Sequence, residues 1–301
     1  MPRTSFDALL EAGAHFGHLK RKWNPNIAPY VFGEKNGIHI IDLNKTLVKL
    51  EESANAMKQI AKSGRTILFV ATKKQAKNIV SEKIKEVGMP CITERWTGGM
   101  LTNFATIRRS IRKMADMNKM ANDGTIESLS KKEKLQLSRQ RAKLEHQLGS
   151  IANMTRLPAA VFVVDITKEH IAISEAKKLN IPTFAIVDTN SDPNKVDFAI
   201  PANDDSSTSI RIIIDTLIGA IKEGLEERKE AQVITKRDEK GEETEGSEIE
   251  SKYEGSGEDE VLAEEEKKAK SQAGAPHHKG PRKGGPAGGS GNRRTPNKAT
   301  R

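Results

Sequence analysis

The stretch RTILFVATKKQAKNIVSEKIKEVGMP, residues 65–90, decides the fold class. Ile67 to Ala71 run without a polar residue, the mark of a strand buried on both faces. Helical spacing begins directly afterwards, so the segment reads strand, turn, helix (73–87). At such a junction nucleotide-binding proteins keep a glycine-rich phosphate cradle. Here the turn is Thr72-Lys73-Lys74. It has neither the glycines nor the hydroxyl after the lysine that a P-loop needs, and it lacks the three spaced glycines of a dinucleotide fingerprint. Lys73, Lys74 and Lys77 can still meet a phosphate as point charges.

Working outward, strands at 66–71, about 91–93, 159–164, 183–187 and 197–200 alternate with helices at 73–87, 168–179 and 206–225. This implies an α/β fold: a doubly wound, mainly parallel five-stranded sheet flanked by helices. Upstream lie an amphipathic helix carrying Leu9 and Leu10 with Thr4 or Ser5 as cap, a glycine-marked turn at 13–17, β runs at 30–32 and 38–41, and a helix repeating Leu47, Leu50, Ala54, Met57 and Ile60 up to Gly64. Residues 102–153 hold no strand signal. Ile107, Ile111, Met114 and Met117 stripe one helix, Leu135, Leu144, Leu148 and Ile151 another, and NDGTIESLS turns between them. The expectation is a protruding antiparallel helical hairpin of coiled-coil type, roughly 25–30 Å long at 1.5 Å per residue. It is inserted in an α/β domain formed by 1–101 and 154–227.

The net charge of +9 over 301 residues is unevenly spread. Residues 1–225 hold 34 Lys+Arg against 24 Asp+Glu, so the folding part carries +10 and favours a polyanionic partner. Between 105 and 150 the ratio is 11 to 5. The tail from 228 to 301 is charge-segregated: 238–266 hold 14 acids and 2 bases, 267–301 hold 10 bases and no acid. With few apolar residues it reads as disordered. Aromatics at 4% leave few base-stacking platforms. A single cysteine, Cys91, rules out an intrachain disulfide and fits a reducing cytosol; after VGMP it reads as a buried, inert thiol. No run approaches the ~20 apolar residues of a membrane span, so a soluble cytoplasmic protein without membrane partners is expected.

Two segments concentrate binding chemistry. RWTGGMLTNFATIRRS (95–110) offers Arg95, Trp96, Gly98, Gly99 and a cap-like Thr102 or Asn103, followed by Arg108, Arg109 and then Arg112. Paired arginines fork onto phosphate oxygens, and adjacent glycines permit close approach of a partner or form a structural hinge. GAHFGHLKRKWNP places His15 and His18 beside Lys20, Arg21, Lys22, Trp23 and Asn24. Histidines three apart can share a metal, and Asp188 and Asp204-Asp205 stand at strand ends, where doubly wound folds bind ligands. No ligand spacing selects a metal site, and Asp204 and Asp205 are more economically helix caps. No Ser/His/Asp or Cys/His order and no HExxH pair appears. Neither a catalytic residue nor a cofactor is expected. The alternative, a nucleotide- or sugar-phosphate-binding enzyme on a Rossmann-like fold, requires a small-molecule pocket.

EAGAHFGHLKRKWNPNIAPYVFG, GIHIIDL, ILFVATKKQA, RWTGGMLTNF, IAISEAKKLNIPTFAIVDTNSDP and VDFAIPANDDSSTSIRIIIDTL together resemble the universal small-subunit ribosomal protein of the "S two" family. The likeness runs in order over roughly 5–225, and the basic hairpin resembles the bacterial and organellar branch. It implies a non-enzymatic structural protein that binds small-subunit ribosomal RNA between head and body, supports late assembly and translation, and helps bring in the large protein that captures messenger RNA. It makes His15, His18, Lys20, Arg21, Lys22, Trp23, Asn24, Arg95, Trp96, Gly98, Gly99, Asn103, Arg108 and Arg109 contact candidates, to which charge alone adds Lys73, Lys74 and Arg112. Small-subunit RNA and neighbouring subunit proteins are the implied partners, with no small-molecule substrate. Nothing carries over to the tail.

Overall fold

The computed structural model describes residues 3–123 and 130–253, with 122 and 233–253 as backbone alone. The N-terminal helix α1 (Phe6–Glu11) is capped by Ser5, whose hydroxyl accepts from the Ala8 amide at 3.2 Å. A small antiparallel sheet follows: β1 (Phe16–Leu19), β2 (Val31–Lys35) and β3 (Ile38–Ile41) in the order β1-β3-β2. The β2–β3 turn tightens to Asn36-Gly37, both at positive φ (55° and 75°), as a two-residue hairpin demands. β1 starts inside the stretch the glycines marked as a turn. Gly13 and Gly17, four positions apart, hide a strand whose support is non-local. Helix α2 (Leu43–Lys62), capped by Asp42, leads into the main sheet.

That sheet contains β4 (Ile67–Val70), β5 (Cys91–Ile92), β6 (Ala160–Val163), β7 (Thr183–Val187) and β8 (Phe198–Pro201). The order is β5-β4-β6-β7-β8 and every pairing is parallel. The five strands thus stand where the apolar runs placed them. α3 (Lys74–Val87) follows β4, α4 (Phe104–Asn122) and α5 (Lys131–Leu148) separate β5 from β6, α6 (His170–Lys178) joins β6 to β7, and α7 (Ser207–Tyr253) follows β8.

Because strand side chains alternate between faces, each apolar run feeds two cores at once. Ile67, Phe69, Phe162, Phe184 and Ile186 pack on one face with α2, α3 and α7. Leu68, Val70, Val161, Val163 and Val187 pack on the other with α6, Trp96 and the hairpin's base residues Ile107 and Leu148. Each fully buried large side chain stabilises the fold by roughly 1.5–3 kcal/mol. Both edges of the sheet are covered: the Ser150 hydroxyl donates to the Cys91 carbonyl on β5, and the Thr46 hydroxyl of α2 to the Pro201 carbonyl on β8 at 2.6 Å. Cys91 is buried, and burial raises its thiol pKa.

In the hairpin, Ile107, Met114 and Met117 are buried as the stripe required. On α5 the stripe differs: Leu135 is exposed, while Leu137 lines the inner side with Met117 and Met120. The seven-residue step from Leu137 to Leu144, not the Leu135 spacing, carries the contact face. Ser130 and Glu133 form a reciprocal capping box that starts α5; residues 124–129 of the expected turn lie outside the described residues.

α7 passes the expected end at 225 and is continuous to Tyr253. The sequence EERKEAQ is made of strong helix formers, so the helix needs no apolar face to continue. The chain divides into units 1–237 and 238–301. The second, taken alone, is described only as helical backbone to Tyr253, and 254–301 of the expected tail lie outside the described residues.

Candidate functional site

The crevice at the carboxyl ends of β4 and β6, where the strand order reverses, is the ligand position of a doubly wound sheet. Here the protein's own side chains fill it. Lys73 lies 2.7 Å from Asp204 Oδ1, 2.6 Å from Asp205 Oδ1 and 3.6 Å from Asp165 Oδ2. Burial works against the charge on Lys73, but its hydrogen bonds to Asp204 and Asp205 outweigh it and raise its pKa. Three carboxylates stand where a nucleotide's phosphate would sit. The lysine that the loop seemed to offer to phosphate is spent inside the molecule, while Lys74 beside it is exposed.

Asp204 and Asp205 are therefore not the caps of α7. Asn203 Oδ1 accepts from the Asp205 and Ser206 amides, and Ser206 Oγ from the Ser209 amide. Asp204 faces inward, and its Oδ2 is buried with no hydrogen-bond partner. Burial above all, with Asp188 and Asp165 alongside, pushes its carboxyl up to about 7 despite Lys73. His18 closes the cluster: Nδ1 is 3.0 Å from Asp188 Oδ2 and Nε2 3.3 Å from Asp205 Oδ2. The Asp188 hydrogen bond, partly opposed by burial, raises the His18 pKa. His18, Asp188 and Asp204 each offer a ligand atom, all within 4.8 Å of one another. That imidazole-and-carboxylate set suits a divalent cation, and folding assembles it from positions whose spacing carries no metal signature. His15 stands apart; its ring contacts Phe16 and burial lowers its pKa.

The same contacts hold the 15–24 segment to the sheet's carboxyl edge. The His18 amide donates to Thr189 Oγ1 at 2.7 Å, and the Asn24 amide to the Thr189 carbonyl at 2.8 Å. Asn24 Oδ1 is used locally, accepting from the Asn26 amide. Trp23 is half-buried, its ring 4.8 Å from that of His39. Lys20 pairs with Glu34 at 2.8 Å. Arg21 and Lys22 are exposed, with no ion pair among the described residues. Gly17 makes this approach possible, since a Cβ there would lie 2.5 Å from Thr189 Cγ2 and 3.0 Å from the His39 carbonyl. Gly17→Ala is expected to lift β1 off Thr189 and cost roughly 1–3 kcal/mol, read as a lowered denaturation midpoint together with faster proteolysis of the first 25 or so residues.

The 95–103 segment is organised by a residue that sequence reasoning passed over. Glu175 of α6 is 6% exposed. Its Oε1 accepts from Trp96 Nε1 (3.1 Å) and the Gly99 amide (2.7 Å), and its Oε2 from the Leu101 amide (3.0 Å) and from both the amide and hydroxyl of Thr102 (3.1 Å each). Burial pushes this carboxyl up. The hydrogen bonds from Thr102, Gly99, Trp96 and Leu101 together prevail and hold it below the usual glutamate range. Trp96 is thus a buried anchor, not a contact surface. Gly99 takes φ +83°, whereas at Gly98 a Cβ would meet nothing within 4 Å. Thr102 is spent on Glu175, and Asn103 is the N-cap position of α4 without making a capping bond; its Oδ1 accepts from the Thr106 hydroxyl at 2.9 Å. Glu94 ties this edge to α3 and α5 through Lys77 and through His146 at 3.2 Å. Arg95, Arg109 and Arg112 are exposed and Arg108 half-buried, with no ion pair among the described residues. The two sequence-marked segments are therefore anchored separately, 15–24 on Asp188 and Thr189 after β7 and 95–103 on Glu175 of α6, and α4 with its arginines starts directly from the second.

A family model described as Ribosomal protein S2 matches residues 9–224. The small ribosomal subunit protein uS2 of Phocaeicola vulgatus is 66% identical over 233 residues, covering 77% of this chain and 84% of that protein. The Bacteroides thetaiotaomicron protein of the same name is 64% identical over the same span and coverage. That of Porphyromonas gingivalis is 63% identical over 229 residues, 76% of this chain and 82% of that protein.

Proposed function

The chain belongs to the ribosomal protein S2 family, and from that premise we propose that it holds ribosomal RNA against the carboxyl edge of its main sheet and along its helical hairpin. As a family member it is a structural protein of the small ribosomal subunit, with RNA and protein partners, and not an enzyme. One observation carries the finer reading. Buried carboxylates fix the 15–24 segment (Asp188) and the 95–103 segment (Glu175) in place, while Arg21, Lys22, Lys74, Arg95, Arg109 and Arg112 stay exposed and unpaired among the described residues. Unspent cations on a rigid frame suit phosphates and the shape of folded RNA, which needs few aromatics. Gly98, where a Cβ would meet nothing within 4 Å, leaves room for RNA to come close. In this reading the protein works in the cytoplasm between head and body of the subunit and supports its assembly. Phe32, 80% exposed on β2, with Phe16 and Leu19 on β1, suits a neighbouring protein such as the messenger-RNA-capturing one. The filled crevice around Lys73 argues against the alternative of a nucleotide-using enzyme.

The test is sedimentation of the tagged full chain from gentle lysates. Comigration with small subunits is expected, with release on rising salt. Six neutralised phosphates would give a log–log slope of about −5, taking the duplex-DNA rule as the guide. Free migration, or a flat salt response, overturns the reading.

A further inference from the structure

At the opposite, amino-terminal edge of the main sheet lies an open cavity of about 590 Å³, bordered by residues 64–66 ahead of β4 and 153–159 ahead of β6. None of its lining residues is acidic, and it contains Arg65 and Arg156, both exposed and without an ion pair among the described residues. A third arginine stands beside it: the Arg228 guanidinium of α7 lies 2.3 Å from where a Cβ on Gly64 would be. The nearby carboxylate of Glu227 is already shared between Lys58 (2.7 Å) and Lys62 (2.9 Å). The potential here is therefore positive. The backbone adds to it, because the amides of Thr155, Arg156 and Leu157 have no acceptor among the described residues. The same segment supplies apolar surface, with the Leu157 side chain 43% exposed next to the buried Pro158.

The volume falls within the roughly 300–1,000 Å³ of small-ligand sites, and a bare phosphate would leave most of it empty. Guanidinium groups and free amides suit a phosphate, while the exposed Leu157 side chain suits the face of a base. We propose that this cavity is a nucleotide pocket that receives one unpaired RNA residue, its phosphate on Arg65 and Arg156 and its base against Leu157. This rests on the RNA-binding reading but uses none of the carboxyl-edge residues. It also reverses the usual use of such a sheet: the switch-point crevice is closed by Lys73, and the nucleotide-sized opening is at the other end.

The experiment is calorimetric titration of the full chain at low salt with 5′-UMP, uridine, a single-stranded uridine hexamer and a blunt RNA duplex. UMP is expected to bind at least tenfold more tightly than uridine, and the hexamer more tightly than UMP or the duplex. Arg65→Ala with Arg156→Ala should lower UMP affinity at least tenfold while leaving the melting temperature unchanged, since both side chains are exposed. Leu157→Asn, which removes the apolar side chain without adding charge, should weaken UMP without altering inorganic phosphate binding. Equal binding of UMP and uridine, no UMP binding at millimolar concentration, or an unaffected double variant overturns the pocket. If UMP binds but the hexamer does not compete, free nucleotides are the ligand and the RNA assignment fails. In each of these cases comigration with small subunits through the carboxyl edge would persist, so the two readings fail separately.

Discussion

Glu175→Ala is expected to cost roughly 3–5 kcal/mol, the range for removing one partner from a buried charged network. On a domain of this size that corresponds to a fall in melting temperature of order 10 °C. The side chain accepts five hydrogen bonds from four residues of the 96–102 loop. Truncation strands those donors, of which Trp96 Nε1 and the Leu101 amide lie in buried contacts. Glu175→Gln keeps the volume but turns one acceptor into a donor facing amides, so an intermediate loss is expected. pH separates the charge from the packing. Because the folded-state pKa of Glu175 lies below its ordinary value of 4.5, its contribution is complete above about 4.5 and fades as pH falls below that. The parent protein should therefore lose stability there more steeply than Glu175→Gln does. Chemical denaturation at pH 7 and at pH 3.5 reads both effects, and coincident curves for parent and variant would discard the assignment. RNA retention should fall as well, although no cation has been removed, because Arg95 and the start of α4 lose their platform.

Reversing Arg108, Arg109 and Arg112 to Glu should weaken retention on small-subunit RNA at least a hundredfold and flatten the log–log salt slope by nearly 3, about 0.9 for each lost phosphate contact. Arg108 and Arg112 lie four residues apart on α4, a like-charge pair that costs the free helix a few tenths of a kcal/mol. A partner rich in phosphate turns that repulsion into attraction. Since Arg108 is half-buried, the double reversal of Arg109 and Arg112, both exposed, is the control for folding. It should melt as the parent does and still flatten the slope by nearly 2. A slope unchanged in both variants would take the hairpin off the RNA.

The strands of the main sheet were legible because burial on both faces demands uninterrupted apolar residues, and few other structures do. Ile107, Met114 and Met117 were legible for the same reason at helical period. Glu175 was not. In ISEAKK it looks like any surface glutamate, and only folding brings it to the amides of 99–102. Local rules misassigned Asp204 and Asp205 because Asn203 and Ser206 do the capping, while Asp204 meets a lysine 131 positions away. β1 was hidden by Gly17 and the turn glycine before it, since its support comes from pairing with β3 and from Thr189 rather than from its own propensity. Of the candidate contacts, the exposed arginines and lysines could be read as free charge. Lys73 and Trp96 were spent on the fold, and nothing local distinguishes a spent cation from an unspent one.

The covered margins of the main sheet bear on the life of the chain before it finds its particle. An open strand is a template for another copy. Here one margin is only two residues long and its carbonyl is occupied by Ser150, while the other ends in Pro201, which has no amide hydrogen to offer. Of the two sheets, the main one thus offers a newly made copy awaiting its vacancy little backbone to pair with, whereas β1 and β2 remain the margins of the small sheet.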